Sequence, residues 1–300
     1  MLDFRIKTFL ELCRLKNYTK TAQYLHITQP AVTQHIQYLE REYGTSLFDH
    51  AAHKFTLTPK GELFYWWALS MEASSKKIQE QLRKPASAAR HYRFGVTLSI
   101  GEYVMPELLT SYLTQYPDRT VSMIVENTDS LMHKLDEGKI DFAIIEGSFD
   151  KNRYSHVLLS NERFIAVGGE KGGFPKACGT LDELTQYPLV IRERGSGTRM
   201  IFETILKEHN LSLDQFKRYS EVGNFKTIKR LVQEGIGITF AYELVVQEEI
   251  RAGILREIPV SHVTTERELN FLYLKDHILE KDYLEFCKFC MEAREKEGKG

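Results

Sequence analysis

The N-terminal fold is decided by residues 17–40, NYTKTAQYLHITQPAVTQHIQYLE. Residues 18–25 predict a short helix, and residues 26–28 are too few for anything but a tight turn. A second helix follows over residues 29–40, and an amphipathic helix over residues 3–16 precedes both. The sequence therefore predicts an all-α N-terminal domain in which two short helices are joined by a three-residue turn.

The second of these helices has one apolar and one polar face. Thr28 is a suitable N-cap, and Pro30 lies in the first turn, where its missing N–H costs nothing. Val32, Ile36 and Leu39 step by four and three residues, which predicts one buried stripe. The opposite face carries uncharged groups that donate and accept hydrogen bonds: Gln29, Thr33, Gln34 and Gln37. Such a face is either solvated surface or a surface that recognises bases, because Gln pairs with adenine and Thr offers a hydroxyl and a methyl group.

Two short helices of this kind, the second of which fits a major groove, form the helix-turn-helix design. In residues 9–48 the sequence strongly resembles the LysR-type transcriptional regulators. The matching residues are Ala22-Gln23-Tyr24-Leu25, Thr28-Gln29-Pro30-Ala31-Val32-Thr33, Ile36, Leu39-Glu40, Gly44, Leu47-Phe48 and, at the end of the expected wing, Leu57-Thr58-Pro59-Lys60-Gly61. The resemblance implies a winged helix-turn-helix that binds double-stranded DNA through its second helix. It carries DNA contact over to Thr28, Gln29, Pro30, Thr33, Gln34, Gln37, His53 and Lys54.

The expected wing, residues 48–57, departs from the family pattern because it holds histidines where the family usually has arginines. An arginine is always charged and grips a phosphate with a forked pair of hydrogen bonds, whereas a histidine near its usual pKa of ~6.5 is mostly neutral at pH 7. His50 and His53 therefore either pack against the helices alone, or make the phosphate grip weaker near neutral pH and stronger as the pH falls.

A long helix is predicted after the wing. Thr58 can cap it and Pro59 is well placed at its first position, and from there to Lys84 the helix would span about 39 Å at ~1.5 Å per residue. One stripe at helical spacing runs along it: Leu63, Trp67, Met71, Ser74, Ile78 and Leu82. A lone helix cannot bury that stripe, so it pairs with a second copy or packs on the N-terminal helices. In the family it is the dimerisation helix, and the usual assembly is a homotetramer. Residues 85–89 predict a hinge.

Charge, cysteine content and hydropathy exclude several classes of protein. The net charge is -1, but residues 1–90 hold 13 Lys and Arg against 8 Asp and Glu, and residues 91–300 hold 27 against 33. Residues 1–90 are therefore a basic head, and residues 91–300 are an acidic body. This asymmetry favours contact between the head and nucleic acid. Four cysteines cannot form a disulfide scaffold, no apolar run approaches the roughly 20 residues that span a bilayer, and charges near the N-terminus break any signal-peptide core. We expect a cytoplasmic protein without membrane contact.

From residue 90 onward, strands and helices alternate. The predicted strands are residues 92–97, 120–126, 142–146, 164–168, 189–192, 236–242 and 270–274. The predicted helices are residues 103–116, 130–137, 198–209, 224–234, 242–251 and 279–297. This alternation predicts α/β layers with parallel strands, and such sheets place ligands at the carboxyl ends of their strands.

Three loops in that setting are rich in hydroxyl groups and small residues: 97–101, 127–130 and 194–199. The third, Arg-Gly-Ser-Gly-Thr-Arg, precedes a predicted helix and offers backbone N–H groups, two hydroxyls and a guanidinium at the positive helix end. That combination suits a small anion, although Gly-Ser-Gly is also common in flexible turns. It lacks the spacing of a P-loop, so nucleotide hydrolysis is not supported.

This half of the chain resembles the effector domain of the same regulators, a two-lobed fold like the periplasmic binding proteins. The resemblance implies a small-molecule inducer in the cleft between the lobes, and in a subset of the family with a similar Gly-Ser-Gly-Thr-Arg run that inducer is an anionic metabolite. The chain is expected to cross between lobes near residues 163–167 and 267–271. The implied effector-binding residues are Thr97, Ser99, Ile100, Gly101, Thr128, Ser196, Gly197, Thr198, Arg199, Asn224 and Phe225.

The expected domain boundaries are as follows: a winged helix-turn-helix domain at residues 1–58, with the helix-turn-helix at about 18–37; a dimerisation linker helix and hinge at 59–86; and an effector-binding domain at 87–300, with lobe I at about 90–162 and 270–300 and lobe II at about 163–269.

These features predict a DNA-binding transcriptional regulator whose DNA binding or activation responds to a small anionic metabolite. No catalytic motif is present, and the Cys287-x-x-Cys290 pair lacks the second pair that a zinc site needs. We therefore expect no enzyme activity, no cofactor and no metal. By resemblance, RNA polymerase is a further partner. Two alternatives stay open: a DNA-binding protein that ignores ligands, and an enzyme or solute-binding protein built on the two-lobed body with a vestigial head.

Overall fold

The computed structural model describes residues 2–49, 56–83, 90–263 and 266–297, without the side chains of residues 81 and 295–297. The chain divides into two compact units. The first contains the N-terminal helices, and the second contains the β-strands and the helices packed on them. No described helix is long and apolar enough to cross a membrane.

The first unit contains four helices: α1 Phe4–Leu15, α2 Tyr18–Tyr24, α3 Gln29–Glu42 and α4 Pro59–Arg83. The predicted helix-turn-helix is confirmed, with α2 and α3 joined by residues 25–28. The Thr28 hydroxyl caps α3 by accepting a hydrogen bond from the Ala31 N–H at 3.3 Å, and Pro30 lies in the first turn as predicted. The Asn17 side chain caps α2.

The predicted wing is described only at its base, where Phe48 forms an antiparallel bridge with Leu57. The predictions for His50, His53 and Lys54 fall outside the described residues.

Phe9 of α1 lies at the centre of the N-terminal core. Its ring is fully buried, with ring centroids 5.0 Å from Phe64 and 5.6 Å from Phe48. The predicted stripe of α3 is buried in the same core: Val32, Ile36 and Leu39. Apolar burial therefore fixes α3 against α1 and α2 and leaves its polar face outward.

Helix α4 begins in close contact with the preceding turn, and this contact requires a glycine. A Cβ at Gly61 would lie 2.0 Å from the Leu47 carbonyl oxygen. The Thr58 hydroxyl accepts a hydrogen bond from the Gly61 N–H at 2.9 Å, so Thr58 caps α4 as predicted. The Thr-Pro-Lys-Gly signal thus fixes the start of the helix.

The stripe along α4 is exposed at five of its six predicted positions. Trp67 is 49% and Leu82 80% exposed, Leu63, Met71 and Ile78 are also exposed, and Ser74 is buried. Within the described residues, this face of α4 therefore does not serve as core.

The second unit is built on a mixed sheet. Its strands are β1 His91–Val96, β2 Thr120–Val125, β3 Phe142–Glu146, β4 Tyr154–Gly169, β7 Thr239–Tyr242, β8 Leu255–Glu257 and β9 Glu266–Leu274, and a separate pair is formed by β5 Leu189–Ile191 and β6 Tyr219–Glu221. The order is β2-β1-β3-β9-β4-β7, with β8 also beside β4. The α/β class is confirmed, but the prediction of parallel strands holds only for β1 with β2 and β3, and for β5 with β6. Antiparallel pairs join β9 to β3, and β7 and β8 to β4.

Seven helices accompany the described strands: α5 Leu98–Tyr103, α6 Met105–Gln115, α7 Thr128–Asp136, α8 Gly197–Glu208, α9 Phe225–Gln233, α10 Glu243–Arg251 and α11 Glu280–Glu297. The helix predicted over 103–116 is present as α6, but the residues before it, predicted as a loop, form the short helix α5, and the two helices meet at Val104. The strand predicted over 164–168 is the buried end of the longer β4.

Aromatic rings fill the core of the parallel part of the sheet. Phe142 of β3 stacks on Phe94 of β1 at 4.9 Å and on Phe271 of β9 at 4.6 Å. Phe286 of α11 packs on Phe94 and Phe142. Cys287 and Cys290 are buried in this helix as free thiols.

Candidate functional site

The polar face of α3 is presented to solvent. Gln29, Pro30, Gln34 and Gln37 are exposed, and Thr33 is half-buried. The Gln29 side-chain amide donates a hydrogen bond to the Thr33 hydroxyl at 3.2 Å. Because an α-helix fits the major groove, this face can place amides and hydroxyls against base edges without further rearrangement of α3.

Two contacts with α1 fix the orientation of α3. The Arg5 guanidinium lies 3.7 Å above the centroid of the Tyr38 ring. The Thr8 hydroxyl and His35 Nδ1 are 2.9 Å apart in a hydrogen bond. Burial lowers the pKa of His35, and the charge of Arg5 acts in the same direction. His35 is therefore neutral at pH 7 and serves α3 as a structural side chain.

In the second unit, the carboxyl ends of the parallel strands meet around a buried carboxylate. Glu146 ends β3 and is 1% exposed. Its Oε1 accepts hydrogen bonds from the Thr198 hydroxyl at 2.5 Å and the Ser99 hydroxyl at 3.1 Å. The Thr128 hydroxyl donates to the Glu146 carbonyl oxygen at 3.2 Å. We call the following residues the Glu146 cluster: Thr97, Ser99, Thr128, Glu146, Arg192, Ser196 and Thr198.

Four polar atoms of the Glu146 cluster are buried without a hydrogen-bond partner. They are Thr97 Oγ1, Glu146 Oε2, Arg192 Nη1 and Ser196 Oγ. Their residues are 1–4% exposed. Buried polar groups are normally paired, so these four atoms are candidates for contact with a bound polar molecule. Three of the four can donate a hydrogen bond.

The local electrostatics of Glu146 combine burial with nearby donors. Burial raises the pKa of Glu146, while the hydrogen bonds from Thr198 and Ser99 and the charge of Arg192 act in the opposite direction. Arg192 lies over the Phe225 ring, 4.7 Å from its centroid, and binds Glu193 through Nε and Nη2. It forms no ion pair with Glu146, so its Nη1 stays available.

Arg199, predicted as the guanidinium for an anion, is engaged elsewhere. Its Nε donates to Glu203 at 2.7 Å, and its Nη1 donates to Glu221 at 2.5 Å and to the Arg192 carbonyl oxygen at 3.3 Å. The guanidinium therefore ties α8 to the end of β6.

Replacement of Arg199 with Ala is expected to lower the free energy of unfolding of the second unit by about 1–3 kcal/mol. The loss stays moderate because the Glu203 and Glu221 side chains are 37% and 42% exposed and keep their hydration. Urea unfolding followed by far-UV circular dichroism measures it. Arg194→Ala, at an exposed arginine of the same loop, is the matched control and should change the value by less than about 0.5 kcal/mol. Unchanged stability in Arg199→Ala would show that these ion pairs contribute nothing.

The other predicted effector residues lie close to the Glu146 cluster or support it. Gly197 needs its small size, because a Cβ there would lie 2.4 Å from the Glu146 carbonyl oxygen. Ile100, Gly101 and Phe225 are buried. The Asn224 side chain caps α9 by accepting from the Thr227 N–H at 2.8 Å, so it has a structural partner already.

Glu146 and Arg192 are the two cluster members that the sequence did not single out. Each is the last residue of a predicted strand, so the signal was available: a charged side chain where a buried apolar run ends. A cavity of about 430 Å³ opens beside the cluster, and its lining includes Arg194, Ser196 and Arg199. Among the described residues, no group of three or more His, Cys, Asp and Glu side chains is placed to hold a metal ion.

Three features define the class of this protein: a helix-turn-helix with an outward polar face, a long helix with an exposed apolar stripe, and a sheet unit with a buried polar cluster. They are the features of a DNA-binding regulator with a domain that binds a small molecule. Residues 5–62 match the family described as bacterial regulatory helix-turn-helix protein, lysR family, and residues 85–295 match the LysR substrate binding domain. The chain therefore belongs to the LysR family, a family of DNA-binding transcriptional regulators.

Relatives and solved structures of similar sequence or shape support this assignment. The chain is 26% identical over 289 residues to the uncharacterized HTH-type transcriptional regulator YeiE of Escherichia coli (strain K12), covering 96% of this chain and 97% of that one. It is 27% identical over 277 residues to the HTH-type transcriptional regulator CysL of Bacillus subtilis (strain 168), covering 89% of each. Full-length BenM has the same fold, with a TM-score of 0.60, 20% identity, and coverage of 99% of this chain and 98% of that one. The regulatory domain of CcmR from Synechocystis PCC6803 gives a TM-score of 0.60 at 20% identity, covering 67% of this chain and 96% of that one.

Proposed function

We propose that the Glu146 cluster binds a small anionic metabolite and that its binding changes how the paired α3 helices lie on DNA. The observation that supports this most is the set of buried, unpaired donors on Thr97, Arg192 and Ser196. Arg192, rather than the engaged Arg199, supplies the positive charge. The N-terminus of α8 adds backbone N–H groups and a favourable dipole.

A comparison structure supports a small-molecule role for this part of the chain. The Synechocystis CcmR regulatory domain was solved in complex with 2-PG. We propose that the matching part of this chain likewise takes a small metabolite, and that the protein acts through binding, without catalysis and without a cofactor.

Thermal melting of the full chain against sulfate, phosphate, small carboxylates and acylated amino acids tests the proposal. A ligand at 100 times its dissociation constant adds about 2.7 kcal/mol, which raises the melting temperature by several degrees. The shift should be lost in Arg192→Ala and kept in Arg194→Ala. No shift with any anion, or a shift that survives Arg192→Ala, would contradict the assignment.

One observation favours a second candidate, a DNA-binding protein that ignores ligands. The Glu146 carboxylate already accepts hydrogen bonds from Ser99 and Thr198. These two hydroxyl groups therefore have partners within the chain and do not need a ligand. The same melting panel separates the two candidates, because a ligand-blind protein gives no shift that depends on Arg192.

We further propose that the chain forms a homodimer through α4. The exposed stripe that includes Trp67 and Leu82 supplies the apolar surface for a second copy, and two heads would then contact successive major-groove faces of one duplex. The dimers assemble into a homotetramer, bind DNA in the cytoplasm and contact RNA polymerase, as the family resemblance implies.

A further inference from the structure

The hydroxyl groups predicted to bind the effector are hydrogen-bonded to the chain's own carboxylate. Ser99 and Thr198 both donate to Glu146 Oε1, and their own oxygens are 3.5 Å apart. Thr198 is the second residue of α8, which begins at Gly197. Glu146 therefore lies at the N-terminus of α8, where an anion would be expected. The second oxygen, Oε2, is buried without a partner.

While Glu146 is ionised, the count of hydrogens leaves the Ser99 and Thr198 hydroxyls unable to bind an anion. Each hydroxyl has one hydrogen to donate, and an ionised carboxylate has none. Ser99 and Thr198 then have nothing left for a second acceptor. An anion beside the buried carboxylate would also meet a like charge in a medium where water screens poorly.

Protonation of Glu146 reverses that count. A carboxylic acid has one O–H, which it can donate to the oxygen of Ser99 or Thr198. The hydroxyl that receives it is free to turn its own hydrogen toward another acceptor. One proton on Glu146 therefore adds a fourth donor to the unpaired donors of Thr97, Arg192 and Ser196.

We propose that a small oxyanion binds to the Glu146 cluster together with one proton from solvent, which Glu146 holds, so that Glu146 makes effector binding dependent on pH. This inference rests on the proposed function of the cluster as an anion site. The effector then binds when Glu146 is protonated and neutral, and it binds more weakly when Glu146 is ionised.

Other charged and titratable groups surround this end of β3. They are Asp129 of α7 beside Gly195, Arg192 after β5, Arg199 of α8, Tyr242 at the end of β7, and Glu162 and Arg267 near Tyr242. Arginine keeps its charge throughout the physiological range, and burial raises the pKa of Tyr242 above its usual value, so that it stays neutral. Asp129 and Glu162 remain in place in a Glu146 variant, which isolates the contribution of Glu146.

The sign of the expected dependence follows from burial, which raises the pKa of Glu146. Below the pKa of Glu146 in the free protein, the residue already holds its proton, so the affinity for the anion does not change with pH. Above that pKa, each anion must take up a proton, and the affinity falls by about tenfold per pH unit. The raised pKa places this decline closer to neutral pH than an ordinary carboxyl would.

Sulfate is the probe that tests the proposal, because its own charge is constant between pH 5.5 and 8.0. Calorimetric titration of the full chain with sodium sulfate, at ionic strength matched with chloride, gives the affinity at each pH. The same titration in two buffers of different ionisation enthalpy gives the number of protons that the protein takes up for each sulfate bound. We expect proton uptake to rise toward one per sulfate, and sulfate binding to weaken, as the pH rises through the pKa of Glu146.

Two variants complete the test. Glu146→Gln keeps the side-chain shape and carries an N–H₂ donor that cannot titrate. This variant should therefore bind sulfate without proton uptake at position 146, and its affinity for sulfate should not depend on pH. Glu102→Gln, the same substitution at an exposed glutamate of α5, should behave like the wild type.

Each outcome bears on a separate claim. Sulfate binding to the wild type without proton uptake, or equal uptake in Glu146→Gln, would overturn the proton-linked role of Glu146 and leave the anion site intact. No sulfate binding to the wild type or to Glu146→Gln at any pH would overturn the anion site itself. Binding to Glu146→Gln alone would support the inference, since it would show that the ionised carboxylate blocks the site. The wild-type buffer comparison decides the question even if Glu146→Gln fails to fold.

Discussion

Replacement of Thr33 and Gln34 together with Ala is expected to remove most of the preference of this regulator for its DNA sequence. Both side chains lie on the polar face of α3, and Gln34 is exposed. A good base contact contributes about 1–3 kcal/mol of discrimination, which corresponds to roughly 5- to 150-fold in affinity for each residue. The double variant should therefore bind its selected site little better than unrelated DNA.

Selection from a pool of random duplexes identifies the preferred site, and fluorescence anisotropy then compares that duplex with a shuffled one. The matched control is Thr114→Ala with Gln115→Ala, an adjacent Thr-Gln pair exposed on α6 in the second unit. The control should keep the full preference. Both proteins should keep a linear fall of log affinity with log salt, because phosphate contacts are left in place. A Thr33/Gln34 variant with undiminished preference would show that α3 does not read the bases.

The second large effect is expected from Phe9→Ala in the N-terminal core. Phe9 is fully buried against Phe48 and Phe64, so the substitution leaves a cavity and removes apolar contacts. Truncation of a buried Phe costs about 3–5 kcal/mol, which is a large part of the stability of a small domain. We expect the head to unfold at much lower denaturant concentration and DNA affinity to fall with it.

The chain offers a selective probe for that measurement. Its two tryptophans, Trp66 and Trp67, both lie on α4 in the first unit. Urea unfolding followed by tryptophan fluorescence therefore reports this unit without a signal from the second. Phe4→Ala is the matched control on the same helix, since Phe4 is 46% exposed, and it should change the free energy of unfolding by less than about 1 kcal/mol. Equal effects of the two variants would contradict the assigned core.

The head was predictable from sequence because its signals are local. The Thr28 cap, Pro30 in the first turn, and the stripe of Val32, Ile36 and Leu39 fix α3 within a dozen residues. The polar face that remains is then the only surface α3 can offer to DNA. No comparable local signal in the sequence shows whether the α4 stripe packs on the N-terminal helices or on a second copy of the chain.

The sheet was predictable in class and only partly in topology. Strand–helix alternation indicates parallel pairing for β1, β2 and β3, and this pairing is present. The first half of β4, residues 154–163, is buried only at Tyr154 and Leu159 and has no continuous apolar run, so it carries no signal of a buried strand. The antiparallel pairs β3–β9 and β4–β7 join segments far apart in the sequence, and local patterns do not specify the direction of such pairs.

The candidate site was predictable in its loops and not in its electrostatics. The hydroxyls of Ser99, Thr128 and Thr198 are close together, as the positions of the loops at strand ends led us to expect. The partners of Arg199 were harder to foresee. Glu203 is one helical turn away and follows from spacing, but Glu221 lies on β6, and its approach depends on how that strand packs.

We propose that occupation of the Glu146 cluster changes DNA binding. The most direct test is the affinity of the full chain for its selected duplex, measured by anisotropy with sulfate replacing chloride at matched ionic strength, for the wild type and for Ser99→Ala with Thr198→Ala. We predict a change of about 5- to 150-fold in the wild type, equivalent to about 1–3 kcal/mol of coupling, with little change in the double variant or on the shuffled duplex. Equal affinity at every sulfate concentration, or the same response in the double variant, would contradict the claim.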